Sequence, residues 1–311
     1  MKYVITGAGQ IGAQLAIDLV AAGHEVVVVR RGNTPLPGTQ TRSGDVADPA
    51  LLDDVLTGAA AVFHCIHAAY SAQAWERELP GREAAVMDAA VRAGIPVVFP
   101  ESVYAFGTGA QELHEGAPLT PASPLGEVRA KLLRARAAHA ATTLSVVASD
   151  LLGPTATMSG SVILSMVIKP AVAGKRAFVL GKPSYPHAIT SIPDLSRGMI
   201  AAAQNAGQLA PGGDAVLLAP TPPAISQLAV AQQAAKLAEA KPGKATGIPF
   251  RVLRVVGLFS PPMREIAHQA YLWDAPSVLY PGRLSTELGI GFTPWAVTLG
   301  EAVRGQEAAR N

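Results

Sequence analysis

The chain has 311 residues, enough for one large α/β domain or for a nucleotide-binding domain with a smaller companion. Hydrophobic residues make up 49% and charged residues 15%, which favours a sizeable core over long disorder. A net charge of +2 argues against nucleic acid or an anionic membrane surface as partner. The single cysteine, Cys65, excludes an internal disulfide framework and reads as a small core residue. No apolar run approaches the roughly 18 residues needed to span a membrane. Residues 2–6 lead straight into a glycine motif and leave no room for a cleavable signal. The expectation is a soluble cytoplasmic protein that acts on a small molecule.

The first 32 residues read "KYVITGAGQIGAQLAIDLVAAGHEVVVVRRG" after the initiating Met. A short apolar run, glycines, an Ala/Leu-rich helical run and "EVVVV" predict a strand–helix–strand unit of about 30 residues. Within it Gly7, Gly9 and Gly12 form G-x-G-x-x-G. Gly7 permits a tight turn, Gly9 lets the backbone approach a pyrophosphate, and Gly12 allows close helix–strand packing. The phosphates then meet the free N–H groups of a helix starting near Gln10 and Ile11. At the end of the second strand, where an NAD-selective site places a carboxylate, stand Arg30 and Arg31. Guanidinium groups pair with a 2′-phosphate, so NADPH is expected in preference to NADH.

"SGDVADP" follows a short third strand and offers Asp45 and Val46 to the adenine edge. "AAVFHCIHAA" predicts a fourth strand whose end, Cys65, Ile66 and His67, lies beside the cofactor, while His64 reads as a packed strand histidine. "GREAAVMDAAVRAG" predicts an amphipathic helix stopped by Gly94, and "IPVVFPESVYAFG" a fifth strand running into a loop. "RAKLLRARAAHAA" is helical, and "TTLSVVASDLLGP" a sixth strand followed by a turn. The alternation predicts a Rossmann-type, doubly wound parallel sheet, with a smaller C-terminal substrate-binding and lid region. The expected division is 1–154 for the NADP-binding part and 155–311 mainly for the lid, with a stretch near 188–206 returning to the core.

These motifs resemble the extended branch of the short-chain dehydrogenase/reductase superfamily, also described as the NAD-dependent epimerase/dehydratase family. The resemblance rests on "TGAGQIG", "GDVADP", "ESVYAFG", "ASDLLGP", "ITSIPDLSRGM" and the tail "YLWDAPSVLYPGRLSTELGIGFTP". It implies that Ser102 orients a substrate carbonyl and that Ser149 and Asp150 sit near the nicotinamide. It also implies a proton-donating Tyr in Y-x-x-x-K, but here the corresponding letters are "PLGEVR". Leu125 stands for the Tyr and Arg129 for the Lys. Leucine can neither donate nor accept a proton, whereas Arg129 could still bind the nicotinamide ribose.

Three readings follow. The first is a ketoreductase in which Ser102 polarises the carbonyl and the proton comes from water, Tyr104, His67, a lid residue or, as the favoured source, a hydroxyl on the substrate. The second is an altered sugar-nucleotide epimerase or dehydratase, which loses more with the tyrosine because its reaction begins by oxidising a carbinol. The third is a nonenzymatic NADPH-binding sensor. The lid segment "MSGSVILSMVIKPAVAGKRAFVLGKPSYPHAIT" has helical spacing followed by strand-like pieces, and brings Tyr185 and His187 as substrate contacts. It offers only Lys169, Lys175, Arg176 and Lys182 to clamp a diphosphate. Apolar and aromatic lining suits a flat hydrophobic substrate. Tyr271 and Trp273 anchor a C-terminal helix or line the same pocket, and Asp194 complements a helix N-terminus. Among Tyr-lacking members, the chain resembles the atypical ketoreductases of aromatic polyketide antibiotic pathways, which implies a polycyclic aromatic ketone as substrate. No cluster with metal-ligand spacing appears.

Overall fold

The computed structural model describes residues 1–308. Its centre is a parallel sheet whose strands, in chain order, are β1 (Lys2–Thr6), β2 (Glu25–Arg30), β3 (Gln40–Ser43), β4 (Ala59–His64), β5 (Val97–Ser102), β6 (Thr143–Ala148) and β7 (Asp214–Leu218). Their order across the sheet is β7-β6-β5-β4-β1-β2-β3. The chain therefore winds outward from β1 in both directions. The strands stay paired to their carboxyl ends, and the connections that follow β1 and β4 lead to opposite sides of the sheet order, which opens a crevice there.

Both faces of the sheet are covered, which explains runs such as Val26–Val29 where alternation would expose every second residue. On one face Ile5, Val28, Phe63 and Val146 pack with Leu15 and Leu19 of helix α1 (Gln10–Ala21). On the other face Val4, Val27, Val62 and Phe99 pack with Leu52 and Val55 of α2 (Pro49–Leu56), and with Val86 and Met87 of α3 (Ala72–Ala93).

Helix α3 begins nine residues before the predicted one. Pro80 masked its first half in the sequence, because an interior proline removes a helical hydrogen bond and usually marks a boundary. Here the Ser71 hydroxyl caps the N–H of Ala74, and Trp75 and Leu79 are buried. Gly94 closes the helix with φ +67, as the sequence suggested. Helix α4 (Pro124–Ala137) likewise starts upstream of its predicted span, with Ser123 as cap and Pro124 in its first turn.

The second half returns to the sheet twice. Helix α5 (Ile192–Gln204) packs Leu195, Met199 and Ala202 into the core beside α1. Asp194 in its first turn is buried and accepts hydrogen bonds from the N–H and hydroxyl of Thr293, each 2.6 Å. Strand β7 then pairs with β6, beyond the stretch near 188–206 that the sequence marked. The rest forms a separate apolar cluster that includes Ile163, Val167, Leu180, Val230 and Leu272. Part of it follows the expected helix-then-strand pattern, with helical turns over Ile163–Val172 and short strands at Ala177–Leu180 and Pro186–His187. No described helix is long and apolar enough to cross a membrane.

A chain of four charges fastens α3 and α4 to β5. Arg136 makes two 2.7 Å contacts to Glu83 and one of 2.9 Å to Glu101, and it lies 4.0 Å from the centre of the Phe99 ring. Arg129 Nε donates to Glu101 at 2.5 Å. The Arg136 and Glu101 side chains are 1% and 0% exposed. Burial pushes the Glu83 carboxyl up, but the adjacent Arg136 guanidinium prevails and holds it below the usual carboxylate range. Removing one member leaves a buried charge unpaired. Arg136→Ala should therefore lower unfolding free energy by about 3–5 kcal/mol in urea titrations. A loss under about 1 kcal/mol would mean that the charges are not effectively desolvated.

Candidate functional site

The crevice at the sheet reversal is built from glycines. Gly7 has φ +94, and a Cβ there would lie 2.9 Å from the backbone of Cys65 and of Ile66. A Cβ on Gly12 would lie 2.0 Å from the Gly7 carbonyl oxygen. A Cβ on Gly9 would meet nothing within 4 Å, so this residue borders open space at the head of α1. The first bond within the helix runs from the N–H of Ala13 to the Gly9 carbonyl. The N–H groups of Gln10, Ile11 and Gly12 are thus left at its open, positive end. A dinucleotide pyrophosphate fits this cradle, where backbone donors converge beside the open space at Gly9.

Gln10 adds a contact that the glycine pattern did not suggest. Its side chain donates to the Gly160 carbonyl at 3.1 Å and accepts from the N–H of Thr157 at 3.2 Å, which straps the 157–160 loop across the head of α1. Arg30 ends β2 and donates to the Thr34 carbonyl, and Arg31 beside it is exposed. Asp45 accepts from the N–H of Ala47, and Val46 is buried beneath that turn. Cys65 donates its N–H to the Thr6 carbonyl at 2.8 Å, and burial pushes its thiol far above the ordinary range, so it is no reactive thiolate. His64 meets the Thr6 hydroxyl at 2.7 Å, and burial lowers it to about 4, which keeps the ring neutral near pH 7. Burial also lowers His67, whose Nδ1 lies 2.8 Å from the Ala68 carbonyl and whose ring meets Trp75 edge-on.

A second cavity opens at the carboxyl ends of β5 and β6. Ser102 and Tyr104 enter it from the β5 side, Ser149 and Asp150 from β6, and His187 with Trp273 from the second half. The Ser102 N–H donates to the Glu101 carboxylate at 2.7 Å, which fixes the residue at the strand end. The N–H of Ser149 donates to the Thr190 hydroxyl at 3.2 Å. Asp150 and His187 Nε2 share a short hydrogen bond, and the imidazole stacks on Trp273 at 4.0 Å. The Tyr104 hydroxyl lies 3.1 Å from that of Tyr70. Among the described residues, no lysine or arginine lines this cavity.

Two expected contacts lie elsewhere. The Tyr185 hydroxyl accepts from Lys182 at 2.9 Å outside the cavity lining, because Tyr185 still belongs to the turn that its N–H closes on the Lys182 carbonyl, whereas His187 lies in the short strand that follows. Arg129 turns to Glu101 and the Pro100 carbonyl, and its side chain is 7% exposed. Leu125 is fully buried in a cluster with Trp75, Leu79, Val128 and Leu132. Glu101 and Tyr70 were absent from the sequence reading. A carboxylate inside the apolar run "VVFPES" was a usable signal for Glu101, and nothing local marked Tyr70.

Comparison with known proteins fits this arrangement. The model of the NAD dependent epimerase/dehydratase family matches residues 3–217. The chain belongs to the NAD-dependent epimerase/dehydratase family. No curated protein sequence matches it. Among solved structures, MoeE5 in complex with UDP-glucose and NAD superposes with a TM-score of 0.74 at 21% identity, covering 100% of both chains. The dTDP-glucose 4,6-dehydratase DesIV from Streptomyces venezuelae, with NAD bound, gives 0.74 at 18% identity, over 100% of this chain and 98% of that one. The UDP-glucose 4-epimerase of Thermotoga maritima gives 0.72 at 13% identity, over 100% of both chains. At these identities the likeness is one of fold.

The glycine geometry generates a direct test. Gly12→Ala forces a methyl group against the Gly7 carbonyl and must displace the turn. Binding of nicotinamide dinucleotide, followed by fluorescence or calorimetry, should weaken by tenfold or more, about 1.4 kcal/mol. Unchanged affinity would show that the turn is not the pyrophosphate cradle.

Proposed function

We propose that the protein is an NADPH-dependent ketoreductase that reduces the carbonyl of a bulky, polycyclic aromatic ketone of the polyketide type. The observation that carries this reading is the replacement at the family's acid position. Leu125 is sealed in an apolar cluster, and Arg129 is paired with Glu101. Oxidising a carbinol requires a base to take its hydroxyl proton, and a tyrosinate held by a lysine is unavailable here. Reducing a ketone asks less, because the developing alkoxide is itself strongly basic and needs only a proton and a hydrogen-bond donor.

The glycine turn and α1 would hold the pyrophosphate through Gly7, Gly9, Gln10, Ile11 and Gly12, with Asp45 and Val46 at the adenine edge. Arg30 and Arg31 would take the 2′-phosphate, since no carboxylate stands at the end of β2 to repel it. Cys65, Ile66 and His67 would flank the nicotinamide half from the end of β4, and Ser149 and Asp150 from the end of β6. When bound, the reduced nicotinamide supplies hydride to the carbonyl carbon. Ser102 would donate to the carbonyl oxygen, and Tyr104 and His187 would flank the substrate.

The cavity's aromatic walls and lack of cationic side chains suit a flat ketone better than a nucleotide diphosphate. A second reading, an altered sugar-nucleotide epimerase or dehydratase, is favoured by the UDP-glucose and NAD bound to MoeE5 and by the family itself. The two differ in the use of cofactor, because a reductase consumes one NADPH per turnover and an epimerase consumes none. A nonenzymatic NADPH sensor would bind the cofactor and turn over neither substrate class.

Calorimetry should show NADPH binding at least tenfold more tightly than NADH, with Arg30→Ala and Arg31→Ala together erasing the difference. A preference for NADH would overturn the cofactor assignment. Ser102→Ala should lower kcat on an aromatic ketone by about 10²–10³ with cofactor affinity unchanged, as for loss of one oxyanion donor. Unaltered kinetics would remove Ser102 from the site.

A further inference from the structure

A phenol still reaches the cavity, although the family position for it holds leucine. Tyr104 leaves the turn after β5 two residues beyond Ser102, and both residues line the cavity. Its ring lies parallel to Trp75 at a centroid distance of 6.3 Å and packs on the cluster that contains Leu125. The leucine thus helps to form the wall against which a different tyrosine rests.

The main chain of Tyr104 is held from two sides. A Cβ on Gly126 would lie 2.5 Å from the Tyr104 carbonyl oxygen, so α4 approaches it as closely as only glycine allows. The Tyr271 hydroxyl donates to the same carbonyl at 3.4 Å. The Tyr104 hydroxyl meets that of Tyr70, which is 38% exposed and can exchange protons with solvent.

We propose that Tyr104, backed by Tyr70, is the catalytic acid that protonates the substrate oxygen during reduction. The inference rests on the reductase reading and replaces the substrate hydroxyl favoured from sequence as the proton source. The step balances. A C–H bond forms at the carbonyl carbon with the hydride of the reduced nicotinamide, which is oxidised. The C=O π pair moves to oxygen, and the Tyr104 O–H bond breaks to protonate it. Tyr104 then takes a proton from Tyr70, and Tyr70 takes one from water.

The surroundings keep the phenol protonated. Burial raises the Tyr104 phenol well above its ordinary range, and Tyr70, Asp150 and Tyr271 reinforce the shift. His187 is engaged by Asp150, and Glu265 acts on Tyr70. The nearby cation Arg129 lies 5.5 Å from the centre of the Trp75 ring and is paired with Glu101. With no unpaired cation beside it among the described residues, Tyr104 stays protonated at neutral pH. It is therefore in the form from which a strongly basic alkoxide can draw a proton, and the supply of reduced cofactor sets the direction of the reaction.

The test uses the full chain, NADPH and two aromatic ketones, one with a phenolic hydroxyl beside the carbonyl and one without. The wild type should reduce both. Tyr104→Phe should lose about 100-fold or more in kcat on both, with an unchanged Kd for NADPH by fluorescence and an unchanged melting temperature. Tyr70→Phe should cost less. Replacing Tyr104 by the more acidic 3-fluorotyrosine should move the alkaline limb of the kcat–pH profile to lower pH, a shift that a merely structural residue would not produce. Retention of turnover within threefold in Tyr104→Phe would overturn the inference and leave the reductase reading intact. So would an unmoved alkaline limb, or a wild type that reduces only the hydroxyl-bearing ketone. A wild type that reduces neither ketone would overturn both.

Discussion

The buried chain of charges from Glu83 through Arg136 and Glu101 to Arg129 is the constraint on which the site depends. Desolvating four charges costs several kcal/mol per ion, and only close, hydrogen-bonded pairing offsets that cost. The pairing is met by drawing α3 and α4 onto β5. Glu101 sits at the centre and has a third task, accepting the N–H of Ser102. The position of the serine hydroxyl is therefore coupled to the charge network beneath it. The same network explains the cation at position 129, which anchors α4 in place of the free ammonium that the family pattern would put there.

On the proposed reading, the family's tyrosine and lysine are replaced by Leu125 and Arg129, and other side chains must handle the proton. The cavity is lined by the hydroxyl-bearing residues Tyr70, Ser102, Tyr104 and Ser149, and by Asp150, which engages His187. Around it are aromatic and aliphatic surfaces, with no lysine or arginine among the described lining residues. On the proposed reading these donors would serve an oxygen that becomes negative during reduction. The fold is shared with MoeE5, whose structure holds UDP-glucose and NAD, so the fold alone does not decide the substrate.

What the sequence revealed followed the range of each interaction. The glycine turn, the valine-rich strands and the Gly94 stop are set by neighbours a few residues apart, and all were legible. Leu125 and Arg129 were expected from their spacing to share a helix, and both lie in α4. Helix α3 was half hidden because Pro80 is locally unfavourable and only its buried face, with Trp75 and Leu79, sustains it. Strand β7 escaped because it is short and its pairing with β6 bridges about 70 residues. Glu101 was missed for the same reason. Its partners lie 28 and 35 residues away, so the carboxylate in an apolar run marked the position without naming the ion pair. His187 and Tyr185 looked equivalent in sequence, and the turn that ends at Tyr185 separates it from the strand residue that faces the cavity.

Transfer of label from the cofactor tests the central claim most directly. NADPH carrying deuterium at C4 would be incubated with the protein and an aromatic ketone, and the product analysed by mass spectrometry. The account predicts one deuterium on the new carbinol carbon, with one NADPH consumed per alcohol formed. Interconversion of a nucleotide sugar with no net NADPH consumption, or cofactor binding without label in any product, would contradict it.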